Sequence, residues 1–187
     1  MSTTESKPAK LKKCKECGCG FVPNRPLQFV CSPICGINYS RKLNEKKEAK
    51  ARKEETKQRK EKLKTLGDWT DDLQKVFNQW VRESQKGSKC ISCDNPNPSD
   101  AGHYRSRGAH PELRFHPDNV HLQCRKCNGY WGGNLIEYRK GLIKKIGVEK
   151  VEWLEGSHEP LKLSIPEIKD LIQEYRQKIK ELRNTTI

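Results

Sequence analysis

The chain is short of apolar residues. Hydrophobic residues fill only 33% of its 187 positions and charged residues another 33%, which argues against one large buried core. No apolar run is long enough to span a bilayer, so no membrane partner is expected. Met1–Lys13 is polar and lysine-rich, without the apolar stretch that a secretory signal needs. These absences point to a cytoplasmic protein whose thiols stay free or bind metal rather than forming disulfides. A chain so poor in apolar surface borrows stability from such metals.

What is present is cysteine and positive charge. The nine cysteines are an odd number, and several fall in Cys-x-x-Cys pairs that suit zinc. The 38 Lys and Arg exceed the 24 Asp and Glu, for a net charge of +14. That surplus is the electrostatic footprint of a polyanion binder, although solubility alone also produces it. No small-molecule substrate is expected.

Composition divides the chain into five segments: a disordered basic tail at 1–13, an N-terminal zinc finger at 14–37, a charged helix at 38–66, a module with flanking helices at 67–147 and a helical region at 148–187. The charged segment has no Gly or Pro from Asn38 to Lys64 and little apolar content, so it reads as a solvated helix. It is either a spacer or a basic strut along a phosphate backbone. After Gly67, Leu73, Val76, Phe77, Trp80 and Val81 recur at helical spacing, with Asp68 or Thr70 as the N-cap. A helix over Asn134–Ile146 is capped by Asn134, closed by Gly147 and has Tyr138 in its core; a short one over Glu149–Leu154 follows. Ser164-Ile165-Pro166-Glu167 is a capping box for a last helix, whose apolar stripe runs from Ile168 to Leu182. That stripe either packs back on the module or pairs with a second copy.

Cys14, Cys17, Cys31 and Cys35 supply four thiolates for a tetrahedral zinc, with Cys19 a bystander. Zinc there folds the segment; DNA contact through Lys12, Lys13, Arg25 and Arg41 is the alternative. Cys90, Cys93, Cys124 and Cys127 form a second four-thiolate set, and the loop between its pairs is rich in chemistry. It holds Asp100-Ala101-Gly102-His103-Tyr104-Arg105, Leu113-Arg114-Phe115 and Asp118-Asn119-Val120-His121-Leu122-Gln123, and Asn128 follows Cys127 directly. Phosphodiester hydrolysis needs a base near neutral pH, which His supplies with its ordinary pKa of about 6.5. It also needs a divalent cation on hard oxygen ligands. His110 and His116 read as surface residues or phosphate contacts, and His121 as a neighbour of Asn119 with a lesser claim on the site.

On these residues the segment resembles the HNH, or ββα-metal, endonucleases, and among them the zinc-knuckle type of phage endonuclease VII. The resemblance implies that His103 is the general base, Asn119 orients it and Asn128 binds a catalytic Mg²⁺ or Mn²⁺, beside two structural Zn²⁺ sites. Over most of its length, through Gly133-Asn134-Leu135, Tyr138-Arg139 and the last helix, the chain is similar to the NinG/Rap proteins of lambdoid phages. That family consists of structure-specific endonucleases acting on branched recombination intermediates such as Holliday junctions and D-loops, inside the bacterial host cell.

One position departs from the pattern. Many ββα-metal sites carry Asp immediately before the catalytic His, where this chain has Gly102. Asp100 is the substitute, and because positions 100 and 103 face opposite sides of a strand, a bulge or turn at Ala101-Gly102 is expected. Arg105, Arg107, Arg114, Arg125 and Lys126 surround the centre and suit a DNA backbone. The fold expected is mostly α with a small ββα-metal core and two zinc sites, and the function a metal-dependent DNA endonuclease. A homodimer follows from the two symmetric nicks that junction resolution requires. A non-catalytic zinc-finger nucleic-acid binder and a recombination adaptor are the competing readings.

Overall fold

A computed structural model describes residues 10–185, so most of the expected disordered tail, residues 1–9, lies outside the described residues. Among the described residues the architecture is mostly helical, with two two-stranded antiparallel sheets. The chain divides after Leu63 into two compact units.

In the first unit, β1 (Lys12–Lys13) pairs with β2 (Gly20–Phe21). The end of the expected tail is therefore a strand, closed into a hairpin by Cys14 N–H donating to the Cys19 carbonyl at 2.8 Å. Two residues are too few to show alternation in a sequence. Helix α1 (Pro33–Lys62) begins five residues earlier than expected, because Ser32 accepts a hydrogen bond from the Cys35 amide at 3.2 Å and Pro33 opens the first turn. None of its residues is buried.

The second unit begins with α2 (Leu66–Ser84), capped by Thr65 rather than by Asp68 or Thr70; Asp68 completes the capping box from within the first turn. Its buried face carries Trp69, Leu73, Phe77 and Val81, as the apolar spacing predicts. Helix α5 (Ile165–Thr185) opens at the Ser164–Glu167 box and lays Ile168, Ile172 and Tyr175 against that face. The Tyr175 ring meets Phe77 edge-on, with centroids 5.1 Å apart. The C-terminal stripe is thus used within the chain, and the region after 148 belongs to the same compact unit as the module.

A second core joins α3 (Leu135–Ile146) and α4 (Val148–Glu155), through Tyr138, Leu142, Val151 and Leu154, to Tyr104 and Leu113. Strands β3 (Asp100–His103) and β4 (Val120–Gln123) lie where the two cores meet: Ala101 and Val120 pack with α2, while Gly102 and His121 bond to Tyr138 of α3. The register is continuous, Asp100 opposite Gln123 through His103 opposite Val120, with no bulge at Ala101-Gly102.

Candidate functional site

Both cysteine sets assemble. Cys14, Cys17, Cys31 and Cys35 bring their sulfurs within 4.8 Å of one another, as do Cys90, Cys93, Cys124 and Cys127. Individual separations, 3.5 Å for Cys17–Cys31 and 3.7 Å for Cys93–Cys124, are too long for disulfides. They match the edge of about 3.8 Å that a tetrahedron with Zn–S bonds near 2.3 Å requires. The thiols also oppose one another electrostatically. The Cys17 amide helps to draw Cys14 down to about 6, whereas the crowding sulfurs, Cys17 first, push Cys31 up to about 12. Four thiolates share so small a space only around a cation, and these residues fit Zn²⁺. Cys19 stays outside the set.

His103 ends β3 with its ring half-buried, and desolvation, with the positive charges of Arg107 and Arg114, lowers its pKa to about 4. Its Nε2 lies 3.0 Å from the Arg114 carbonyl oxygen. A carbonyl only accepts, so Nε2 carries the proton and Nδ1 keeps the lone pair. Asn119 is completely buried, and its carboxamide bonds the backbone N–H and C=O of Arg105, at 2.7 and 3.0 Å, and the Leu113 carbonyl, at 3.0 Å. It does not bond to His103. It fixes the two chain segments beside it, including the one that presents the Arg114 carbonyl.

On the opposite face of the sheet, the Asn128 Nδ2 donates to Asp100 Oδ2 at 3.1 Å. Asp100 shares its face with Gly102, because alternate strand positions point the same way. It therefore reaches Asn128 from a regular strand; the expected bend at Ala101-Gly102 is absent, and Asp100 stays on the face opposite His103. Asp100 Oδ1 also accepts from Ser99 Oγ at 2.8 Å, so both carboxylate oxygens face hydrogen-bond donors, and the pair supplies only two hard oxygen donors of the kind Mg²⁺ or Mn²⁺ prefers. The space beside Gly102 is already taken: a Cβ built there would lie 2.0 Å from Gln123 Oε1. Gln123 is fully buried, its Nε2 donating to Ser92 Oγ and the Gly133 carbonyl, both at 2.7 Å, while Oε1 has no partner.

The five basic residues expected to contact DNA separate into two groups. Arg107, Arg125 and Lys126 are exposed. Arg105 donates to His110 Nε2 at 2.7 Å, and Arg114 is held by Gln74 at 2.7 Å and Asp71 at 3.0 Å. His110 also meets Glu112, and His116 packs on Trp153. His121 is buried away from His103, on the Gly102 face, and burial pushes its pKa down to about 3.

Three residues play parts that the sequence hid. Tyr138 is buried as expected, but its hydroxyl also joins the strands, donating to the Gly102 carbonyl at 2.9 Å and accepting from the His121 amide at 3.0 Å. Asn134 makes no side-chain cap; it takes a left-handed backbone and donates to Cys127 Sγ at 3.5 Å. Gln123 carried one signal, its place immediately before Cys124, but nothing in the sequence pairs it with Gly102.

Among known proteins, the chain is 40% identical over 198 aligned residues to Protein ninG of Escherichia phage lambda, covering 96% of this chain and 97% of that protein. It is 38% identical to Protein ninG of Salmonella phage P22, covering 93% and 95% of the two chains, and 37% identical to that of Escherichia phage 933W, covering 96% and 97%. No solved structure matches it. The family described as "Bacteriophage Lambda NinG protein" matches residues 6–185, across both compact units and both cysteine clusters, and the chain belongs to that family.

Proposed function

We propose that this protein is an HNH-type endodeoxyribonuclease, with β3, β4 and the turn into α3 as its ββα-metal core, and that it cuts branched recombination intermediates such as Holliday junctions and D-loops. The observation that carries the reading is His103 itself, neutral at physiological pH and anchored through Nε2, so that its Nδ1 is available as a base.

In the mechanism that follows, His103 Nδ1 takes the proton of a water molecule as that water attacks the scissile phosphorus. The chain breaks on the 3′-oxygen side, leaving 5′-phosphate and 3′-hydroxyl ends. Asp100 and Asn128, which lie on the face of the sheet opposite His103, would hold the divalent cation, which would supply charge neutralisation to the phosphate; the scissile phosphate would then have to reach past the edge of β3 to meet both groups. Asn119 keeps the Arg114 carbonyl in place through its neighbour Leu113 and so holds the imidazole in one tautomer. Arg107, Arg125 and Lys126 are free to meet the phosphate backbone. The two cysteine sets serve as zinc scaffolds. A homodimer would deliver the paired nicks of junction resolution.

The test is a time course with a labelled four-way junction and a matched linear duplex, in Mg²⁺ or Mn²⁺ and without either. Cleavage should require the added cation and favour the junction. His103→Ala should lower the rate by about 10²–10⁴-fold while junction affinity is kept. Undiminished cutting by that variant removes the mechanism, and equal cutting of both substrates removes the preference for branches.

A further inference from the structure

We propose that Tyr130 and Trp131, at the tip of the loop that leaves the second cysteine cluster, form a stacking platform for unpaired bases of the DNA substrate. The inference rests on the nuclease reading and adds how a branch is recognised.

Most aromatic side chains of the second unit are committed to the interior. Trp69, Phe77, Tyr104, Tyr138 and Tyr175 are buried, and Trp80 and Phe115 pack against the first core. Trp153 is about half exposed but stacks with His116 and His158. Tyr130, at 84% exposure, is the most exposed aromatic among the described residues, and its chain neighbour Trp131 is 46% exposed, close to Trp153. Solvated aromatic rings cost hydration free energy unless something covers them.

The backbone that carries the rings is held in place. Lys126–Tyr130 is a single π-helical turn, an irregularity often found at functional positions. The Trp131 amide donates to the Lys126 carbonyl and the Gly133 amide to the carbonyl of Cys127, both at 2.9 Å, so the loop closes on the cysteine cluster. Gly132 and Gly133 take positive φ, 54° and 92°, which allows the sharp return. Asn128 sits in the same turn with its side chain directed to Asp100. A base stacked on Tyr130 would therefore lie close along the chain to the residues assigned to the cation.

Charge identifies the occupant. Arg125 and Lys126 are exposed on the same turn, and Lys126 Nζ lies over one face of the Trp131 ring, 4.5 Å from its centre, so that a base would stack on the opposite face with this cation nearby. On α3, Lys140 and Lys144 follow the exposed Ile136 at four-residue intervals and give the helix that the loop enters a basic row of its own; Lys140 also meets Glu137. Aromatic faces interleaved with cations are the pattern that binds single-stranded nucleic acid, since every base offers a π-face. In a D-loop the displaced strand is unpaired, and in a four-way junction the base pairs at the branch lack a continuous stack and open most readily.

The experiment uses the full-length, zinc-loaded protein in a His103→Ala background, so that binding is read without cleavage. The probes are a four-way junction with 2-aminopurine at the branch, a matched linear duplex and a single-stranded oligonucleotide. Tyr130→Ala/Trp131→Ala should lose about 10–100-fold in affinity for the junction and the single strand, with less than about a twofold change on linear duplex, and should lose the stacking-induced quenching of 2-aminopurine. The Tyr130→Phe and Trp131→Phe variants should keep both. If the double variant, with zinc content and circular dichroism intact, binds and quenches like its parent, the platform is overturned and the patch is left to a protein partner. The parent's own preference for junction over duplex tests the underlying reading separately, and the single strand tests stacking even where that preference is absent.

Discussion

At Gly102 the strand has no side chain, and the Gln123 carboxamide fills the space beside its Cα. Gln123 cannot swing aside freely, because its Nε2 is held by Ser92 and Gly133. Gly102→Ala should therefore cost about 1–3 kcal/mol in urea unfolding, and less in a Gln123→Ala background; equal costs in both would show that the two side-chain positions are not coupled. The same crowding explains why a carboxylate cannot simply be placed next to His103 in this chain. His121 permits a second residue-level prediction. Its folded pKa of about 3 lies below the unfolded value near 6.5, so its contribution to stability is complete above that pH and is lost as pH falls. At pH 5 the loss should be roughly 2 kcal/mol. His121→Leu should flatten the difference between denaturation midpoints at pH 7.5 and 5; an unchanged slope would assign the pH dependence elsewhere. In the sequence, His121 and His103 looked like two histidines near one asparagine. Strand alternation alone could not separate their environments, because the faces depend on the register with β3 and on what covers each side.

Helix identities were legible from apolar spacing, but helix starts were not, and the reason lies in the caps. The Thr65–Asp68 box is concealed by Gly67 inside the first turn of α2, and Ser32 starts α1 inside what reads as a zinc-finger segment. The route of α5 was also closed to sequence, since a stripe of Ile and Tyr suits any apolar partner, whether α2 or another chain. The cysteine spacing, by contrast, picked out the eight sulfurs that assemble once Cys19, a fifth thiol in the first run, was set aside. One contact between elements carries a prediction. A Cβ on Gly141 of α3 would lie 2.0 Å from the Ile91 carbonyl oxygen, in the first cysteine pair of the second cluster. A backbone atom there cannot rotate away, so Gly141→Ala should cost roughly 2–3 kcal/mol and hasten zinc release to a chromogenic chelator. Release as slow as in the parent would mean that α3 does not brace the cluster.

Across the whole molecule, the family match spans both units and takes in the basic helix as well as the proposed nuclease core. Helix α1 carries eleven Lys and Arg against five Glu, a surplus of six, and buries none of its residues. Its 30 residues extend for about 45 Å. A spacer and a phosphate-tracking strut of this composition look alike, but they differ in counterion release. Lys46, Lys50, Lys53 and Lys57 recur on one face of the helix. If that face lies along DNA, each neutralised phosphate contributes about 0.9 to the slope of log affinity against log salt. Replacing all four with Gln should then reduce the slope by about 3–4 while leaving the unfolding midpoint near that of the parent, because no buried contact is lost. A slope unchanged within error would assign α1 to the spacer role and place the salt dependence on Arg107, Arg125 and Lys126. The measurement thus decides whether the positive charge that meets DNA is confined to the proposed nuclease core or extends along α1.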